Sequence, residues 1–230
     1  MTEELRERLG RLAESISRAA ARCGRDPGGV QWVLVTKTVP AARIREAWDL
    51  GAREFGENRV QELLEKQAGF PEEARWHLIG HLQTNKVRQV LGRTVLIHSV
   101  DRIEVVREIE KQAEKKGIAA VEALIQVNMS REASKSGVLP EEAEALAAGI
   151  AADSPLKIRG LMTIGPLTDD EARIREAFRG LRKMGEDFRM KFPDKSWGIL
   201  SMGMSQDFEI AIEEGATLLR IGSLVFGARS

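Results

Sequence analysis

The chain has no tyrosine and one cysteine in 230 residues, and aromatic side chains make up only 5% of it. A lone cysteine, Cys23, excludes an intrachain disulfide. It lies at the end of a helical pattern with no second thiol nearby, and reads as a small buried or half-buried hydrophobe. Missing too is any apolar run of the roughly 20 residues that a membrane-crossing helix needs. Glu3, Glu4, Arg6, Glu7, Arg8 and Arg11 stand where a secretory leader would carry its apolar segment. Nor does charge of one sign dominate, because 35 Lys+Arg are matched by 35 Asp+Glu. Without an excess positive field, nucleic acid is not expected as the main partner. These absences predict a reduced, cytoplasmic protein that engages neither membrane nor nucleic acid. The 43% hydrophobic and 30% charged residues belong to an ordinary globular chain. No Pro/Gly/Ser-rich linker or composition shift interrupts it, so residues 1–230 are expected to form a single domain.

Leu5, Leu9, Leu12, Ile16 and Ala20 recur at helical spacing and stop at the turn signal CGRDPGG, which predicts an amphipathic first helix. Eight apolar runs of strand length follow: VQWVLVT, REFG, RWHLIG, TVLIHSV, VEALIQVN, KIRGLMTIG, WGILSMG and TLLRIGSLVFG. Between them helical patterns begin near Ala41, Asn58, Thr84, Arg102, Pro140, Thr168 and Ser205. Strict alternation of this kind argues for parallel βαβ units, and eight strands are what a (β/α)8 barrel requires. The expectation is one α/β barrel of the TIM type with an added N-terminal helix, with an open doubly wound sheet as runner-up.

In such a barrel the working residues sit at the C-terminal ends of strands. Lys37 ends the first apolar run, where partial desolvation would favour a nucleophilic amine; a lysine that merely snorkels out of the mouth fits the same stretch. Ser205 follows Met202-Gly203-Met204 and reads as the N-cap of the next helix, an arrangement that suits an anion as well as a plain cap. Asp207, two residues on, favours capping unless it points away. Arg220 ends the last strand, and Gly222 with Ser223 opens a turn where backbone and hydroxyl could approach a ligand. Asn58 and Gln61 are spaced as a capping box that would leave Asn58 at the mouth. His77 and His81 are four apart on a strand and its loop rather than on a helix, so no metal is expected.

These stretches, with WHLIGHLQTNK, HSVD, QVNMSREASKSG, RGLMTIG, LSMGMSQDFEIAIEEGAT and LRIGSLVFGAR, resemble the pyridoxal phosphate homeostasis protein family, whose members are alanine racemase N-terminal-domain-like. The resemblance runs along essentially the whole chain. It implies a Schiff base between Lys37 and pyridoxal 5'-phosphate (PLP), and Arg220 against the pyridine nitrogen, which keeps that nitrogen unprotonated and weakens the cofactor as an electron sink. It further implies Ser205, Gly222 and Ser223 at the phosphate and Asn58 near the ring. Thr36 and Ser223 stand where the family usually has Ser and Thr, and MTIGP replaces a shorter MAIP. Related racemases add a second β domain and a tyrosine opposite the lysine; this chain has neither, and racemisation needs a proton-transfer group on both faces. The expected role is therefore storage, buffering or delivery of PLP by a monomeric, non-catalytic protein, with PLP-dependent apo-enzymes as partners. A weak amino-acid racemase, or a barrel aldolase using Lys37 on a sugar phosphate, are the alternatives.

Overall fold

The structure, a computed structural model, describes residues 2–227. Helix α1 (Thr2–Arg22) leads into β1 (Gln31–Val35), α2 (Ala41–Asp49), β2 (Glu54–Glu57), α3 (Val60–Gln67) and β3 (Arg75–Leu78). The middle of the chain supplies α4 (Val87–Val90), β4 (Leu96–Val100), α5 (Ile103–Lys116), β5 (Val121–Gln126), α6 (Ala143–Ala148) and β6 (Leu156–Met162). It ends with α7 (Glu171–Lys191), β7 (Ile199–Ser201), α8 (Phe208–Glu213), β8 (Leu218–Ile221) and α9 (Ser223–Phe226). Each strand pairs in parallel with the next, and β1 pairs with β8 through Gln31 to Leu34 against Leu218 to Ile221. That closure makes an eight-stranded barrel and rules out the open sheet.

Alternation along each strand sorts side chains into two layers. Val33 points into the barrel, where it meets Leu96, Leu124, Met162 and Leu218. Its neighbour Leu34 points outward into the layer shared with the helices. In that outer layer the Phe55 and Trp76 rings lie 5.4 Å apart, tilted by 37°, with Phe70 edge-on to Trp76 at 5.5 Å. Burying each such side chain contributes about 1.5–3 kcal/mol. Helix α1 buries Leu5, Leu12, Ile16, Ala19 and Ala20 against α2, α8 and α9. Beyond its end, Arg25 donates to the carbonyls of Ile212 and Ala216 at 2.5 and 2.7 Å, tying the first helix to the end of α8. Cys23 is exposed, contrary to the sequence reading, because the turn after α1 carries it off the buried face.

Several helices start later than their patterns suggest: Val60 rather than Asn58, Ala143 rather than Pro140, Glu171 rather than Thr168, and Phe208 rather than Ser205. For α7 the cap is Asp170, whose carboxylate accepts from the N–H groups of Ala172 and Arg173. After β2 and β7, the intervening residues turn their side chains toward the barrel mouth instead. The turn expected after Gly222 is a short helix, α9.

Candidate functional site

A cavity of about 250 Å³ opens at the C-terminal ends of the strands. Its lining brings together Lys37, Asn58, Ser205, Arg220, Gly222 and Ser223, with Val35, Ile79, Met162 and Ile164 among its apolar walls. All six residues singled out in the sequence thus face one space. Of everything that lines it, only Lys37 and Arg220 are ionisable.

Lys37 is half-buried in a turn closed by Val39 N–H donating to the Thr36 carbonyl at 2.9 Å. Thr38, next in the turn, has φ +64°, a conformation that a β-branched residue adopts only at a cost. The side chains that hold it come from β2 and α3. Lys66 Nζ donates to the Thr36 carbonyl at 2.7 Å, and Glu62 accepts from Thr38 N–H at 3.1 Å. Glu57, fully buried, accepts from the Thr36 hydroxyl at 2.5 Å and from Lys66 at 2.7 Å. Burial pushes the Glu57 carboxyl up to about 7, and contact with Glu62 adds to the rise, against the pull of Lys66 and Thr36.

Arg220 is held differently. The residue is 4% exposed, and its guanidinium donates to Ser201 Oγ and to the Thr163 carbonyl, both at 2.8 Å. Both acceptors are neutral. Burial pulls the guanidinium down to about 10, opposed by the nearby Asp207 charge, so it stays cationic at neutral pH. Behind Ser201 runs a buried polar column. His98 Nδ1 lies 3.0 Å from Ser201 Oγ, His98 Nε2 lies 3.0 Å from His77 Nδ1, and His77 Nε2 lies 2.6 Å from Glu54. Burial, with the charges of His77 and Arg220, holds His98 well below the usual imidazole range, so it is neutral. With His98 neutral, one of its ring nitrogens can accept and the other can donate along the column. Burial would raise the Glu54 carboxyl, but the His77 bond and the Arg75 charge outweigh it and lower it.

Ser205 is not a helix cap: its Oγ accepts from the N–H groups of Gly222 and Leu224, each at 3.4 Å. The residue flanking α8 is Asp207, and its carboxylate turns back to accept from Met204 N–H at 2.6 Å. Gly203, just before them, has φ +93°, and a side chain there would run into Ala211. Gly222 sits close to Val35, where an added Cβ would lie 3.3 Å from that residue's backbone oxygen. Asn58 likewise does not cap α3, whose flanking residue is Arg59. His77 enters the interior column while His81 pairs with Asp101 at 3.3 Å. No cluster of three or more His, Cys, Asp or Glu side chains placed for a metal occurs among the described residues.

The sequence reading missed Glu57, Glu62 and Lys66, and the column of His98, Ser201 and Thr163. The i, i+4 spacing of Glu62 and Lys66 was a usable signal, since it put both on one face of the helix that follows Asn58.

The family model for the alanine racemase N-terminal domain matches residues 8–230. A pyridoxal phosphate homeostasis protein of Aquifex aeolicus is 43% identical over 97% of each chain. The chain belongs to the pyridoxal phosphate homeostasis protein family. A second member of that family, from Pseudomonas aeruginosa, is 42% identical over 97% of this chain and 95% of its own. The structure of PipY from Synechococcus elongatus with PLP bound superposes with a TM-score of 0.84 at 34% identity, covering 97% of this chain and 100% of PipY. Ala228 and Arg229, the end of the LRIGSLVFGAR stretch that resembles the family, lie outside the described residues. No helix among the described residues is long and apolar enough to cross a membrane.

Proposed function

We propose that this protein binds pyridoxal 5'-phosphate in the Lys37 cavity and takes part in its homeostasis, storing, buffering or delivering it without turning over a substrate. The observation that carries this reading is the cavity's pair of cations: one amine, one guanidinium held by neutral acceptors, and no other ionisable lining residue. The residues fit the group. The Gly222 and Leu224 N–H groups reach Ser205 at only 3.4 Å, so they are weakly bonded and available to a stronger acceptor such as phosphate. Ser205 and Ser223 would add hydroxyl donors to the phosphate, and Asn58, on the same cavity wall, would be available to the ring.

When bound, the cofactor supplies an aldehyde that condenses with an amine. Lys37 is the amine. Arg220, cationic and buried, disfavours a proton on any ring nitrogen set against it, which limits electron withdrawal through the ring. The absence of a second proton-transfer group among the lining residues leaves one face of a substrate carbon unserved, which supports a carrier over a racemase. In this reading residues 1–230 act as one cofactor-binding unit, monomeric and cytoplasmic, with PLP-dependent apo-enzymes as recipients.

Borohydride reduction of the PLP-treated protein followed by peptide mapping tests the site. A phosphopyridoxyl mass on Lys37, lost in Lys37→Ala, is expected; an unmodified Lys37 would overturn it. Ser205→Ala with Ser223→Ala should weaken PLP retention, each hydroxyl contributing about 1.5–3 kcal/mol. Alanine turnover well above that of free PLP, abolished in Lys37→Ala, would overturn the non-catalytic half.

A further inference from the structure

We propose that Glu57, Glu62 and Lys66 are positioning residues for Lys37, gripping the peptide on either side of it, with one proton shared between the two carboxyl groups. The inference rests on the reading of Lys37 as the cofactor's amine, but its geometry does not depend on a ligand. The Thr36 carbonyl belongs to the peptide that enters Lys37, and Lys66 holds it; the Thr38 N–H belongs to the peptide that leaves, and Glu62 holds it. Lys66 also bridges the two carboxylates, at 2.7 Å from Glu57 and 3.2 Å from Glu62. Thr38 is kept at φ +64° by this grip, and the orientation of Lys37 is thereby set on both sides.

The shared proton follows from an orphaned atom. Glu57 Oε2 is buried and receives no donor. A carboxylate oxygen in that state is costly, whereas a protonated one donates to Glu62, whose carboxyl is its hydrogen-bonding neighbour. Around Glu57, β1 leads into Thr36, α3 presents Glu62 and Lys66, and the paired residue of β3 is the apolar Leu78. With the proton in place, one negative charge on the pair balances Lys66. Its loss at higher pH adds a negative charge beside Thr36, the residue before Lys37, and sets two carboxylates against each other.

The test uses acetic anhydride on the protein without cofactor, with acetylation of Lys37 mapped by mass from about pH 6 to 9 and referred to the exposed Lys111 in the same sample. Wild type should show an inflection near 7 in the Lys37 rate, the range of the Glu57 carboxyl. Glu57→Gln should abolish it, and Lys66→Met should change the rate by about tenfold, the effect of one charge-assisted hydrogen bond. Lys66→Arg should restore most of that change. Glu62→Gln, at a half-buried position, keeps the test open should Glu57→Gln fail to fold. Rates and profiles that match wild type in every folded variant would overturn the proposal. Borohydride labelling of wild type with PLP reads the cofactor assignment separately: its failure alongside altered acetylation would sink that assignment and leave the grip standing.

Discussion

Lys37 after β1 and Arg220 in β8 line the same cavity from adjoining strands, yet their surroundings differ in kind. Around the peptides that flank the lysine lie two carboxyl groups and a second ammonium that bonds to both, with one carboxyl raised to about 7. Around the arginine lie a hydroxyl, a carbonyl and a neutral imidazole behind them, with the closest opposing charge, on Asp207, not bonded to it. A guanidinium stays charged through any pH the cell meets, so fixed neutral dipoles suffice to aim it. An amine that must be neutral to react needs neighbours whose own charge can change. Permanence of charge on one side and adjustability on the other is what the two halves of the cavity teach.

Breaking the arginine side should have the largest effect. Arg220→Ala strands Ser201 and the Thr163 carbonyl inside the barrel and leaves a void, and a loss of about 3–5 kcal/mol in urea unfolding is expected. A smaller loss would mean that the column repacks. Next comes the lysine side, through pH. Glu57 carries a raised pKa in the fold, so between about 4.5 and 7 the folded state binds more protons than the unfolded state and stability falls as pH rises. Glu57→Gln removes this slope, so relative to wild type the variant should gain up to about 3 kcal/mol between pH 5 and 8. Glu62, whose pKa is lowered, contributes in the opposite sense and only below about 4.5, outside that window. Parallel stability curves for the two proteins would remove the titrating carboxyl from the comparison. The smallest effect sharpens it: Thr38→Gly relieves the positive φ and should stabilise the fold by about 1 kcal/mol, while Lys37 acetylation becomes less uniform.

The barrel was legible because its signal is local. Runs such as TVLIHSV and VEALIQVN are apolar on successive residues, as strands covered on both sides must be, and their alternation with helical patterns needs no long-range knowledge. Lys37 and Arg220 could be placed at the mouth for a related reason, since each ends an apolar strand, although a snorkelling lysine fitted the same stretch. Asn58 and Ser205 were misread as caps because their side chains favour that role intrinsically, and only the closed sheet turns them to a shared cavity. Ser205 meets N–H groups 17 and 19 residues away. The interior column lay further out of reach: His98 and Ser201 are 103 positions apart, and strand register across a closed sheet is not written in any one segment.

That column draws a residue from each of five strands, Glu54 from β2, His77 from β3, His98 from β4, Ser201 from β7 and Arg220 from β8. A fragment ending before β7 would therefore enclose two imidazoles with no hydroxyl or guanidinium to complete their bonding. While the chain is being synthesised, its first four strands have no satisfactory way to seal their own interior. The half-barrel is kept from becoming a stable product by its own polar centre, and the last two strands act as the closing key.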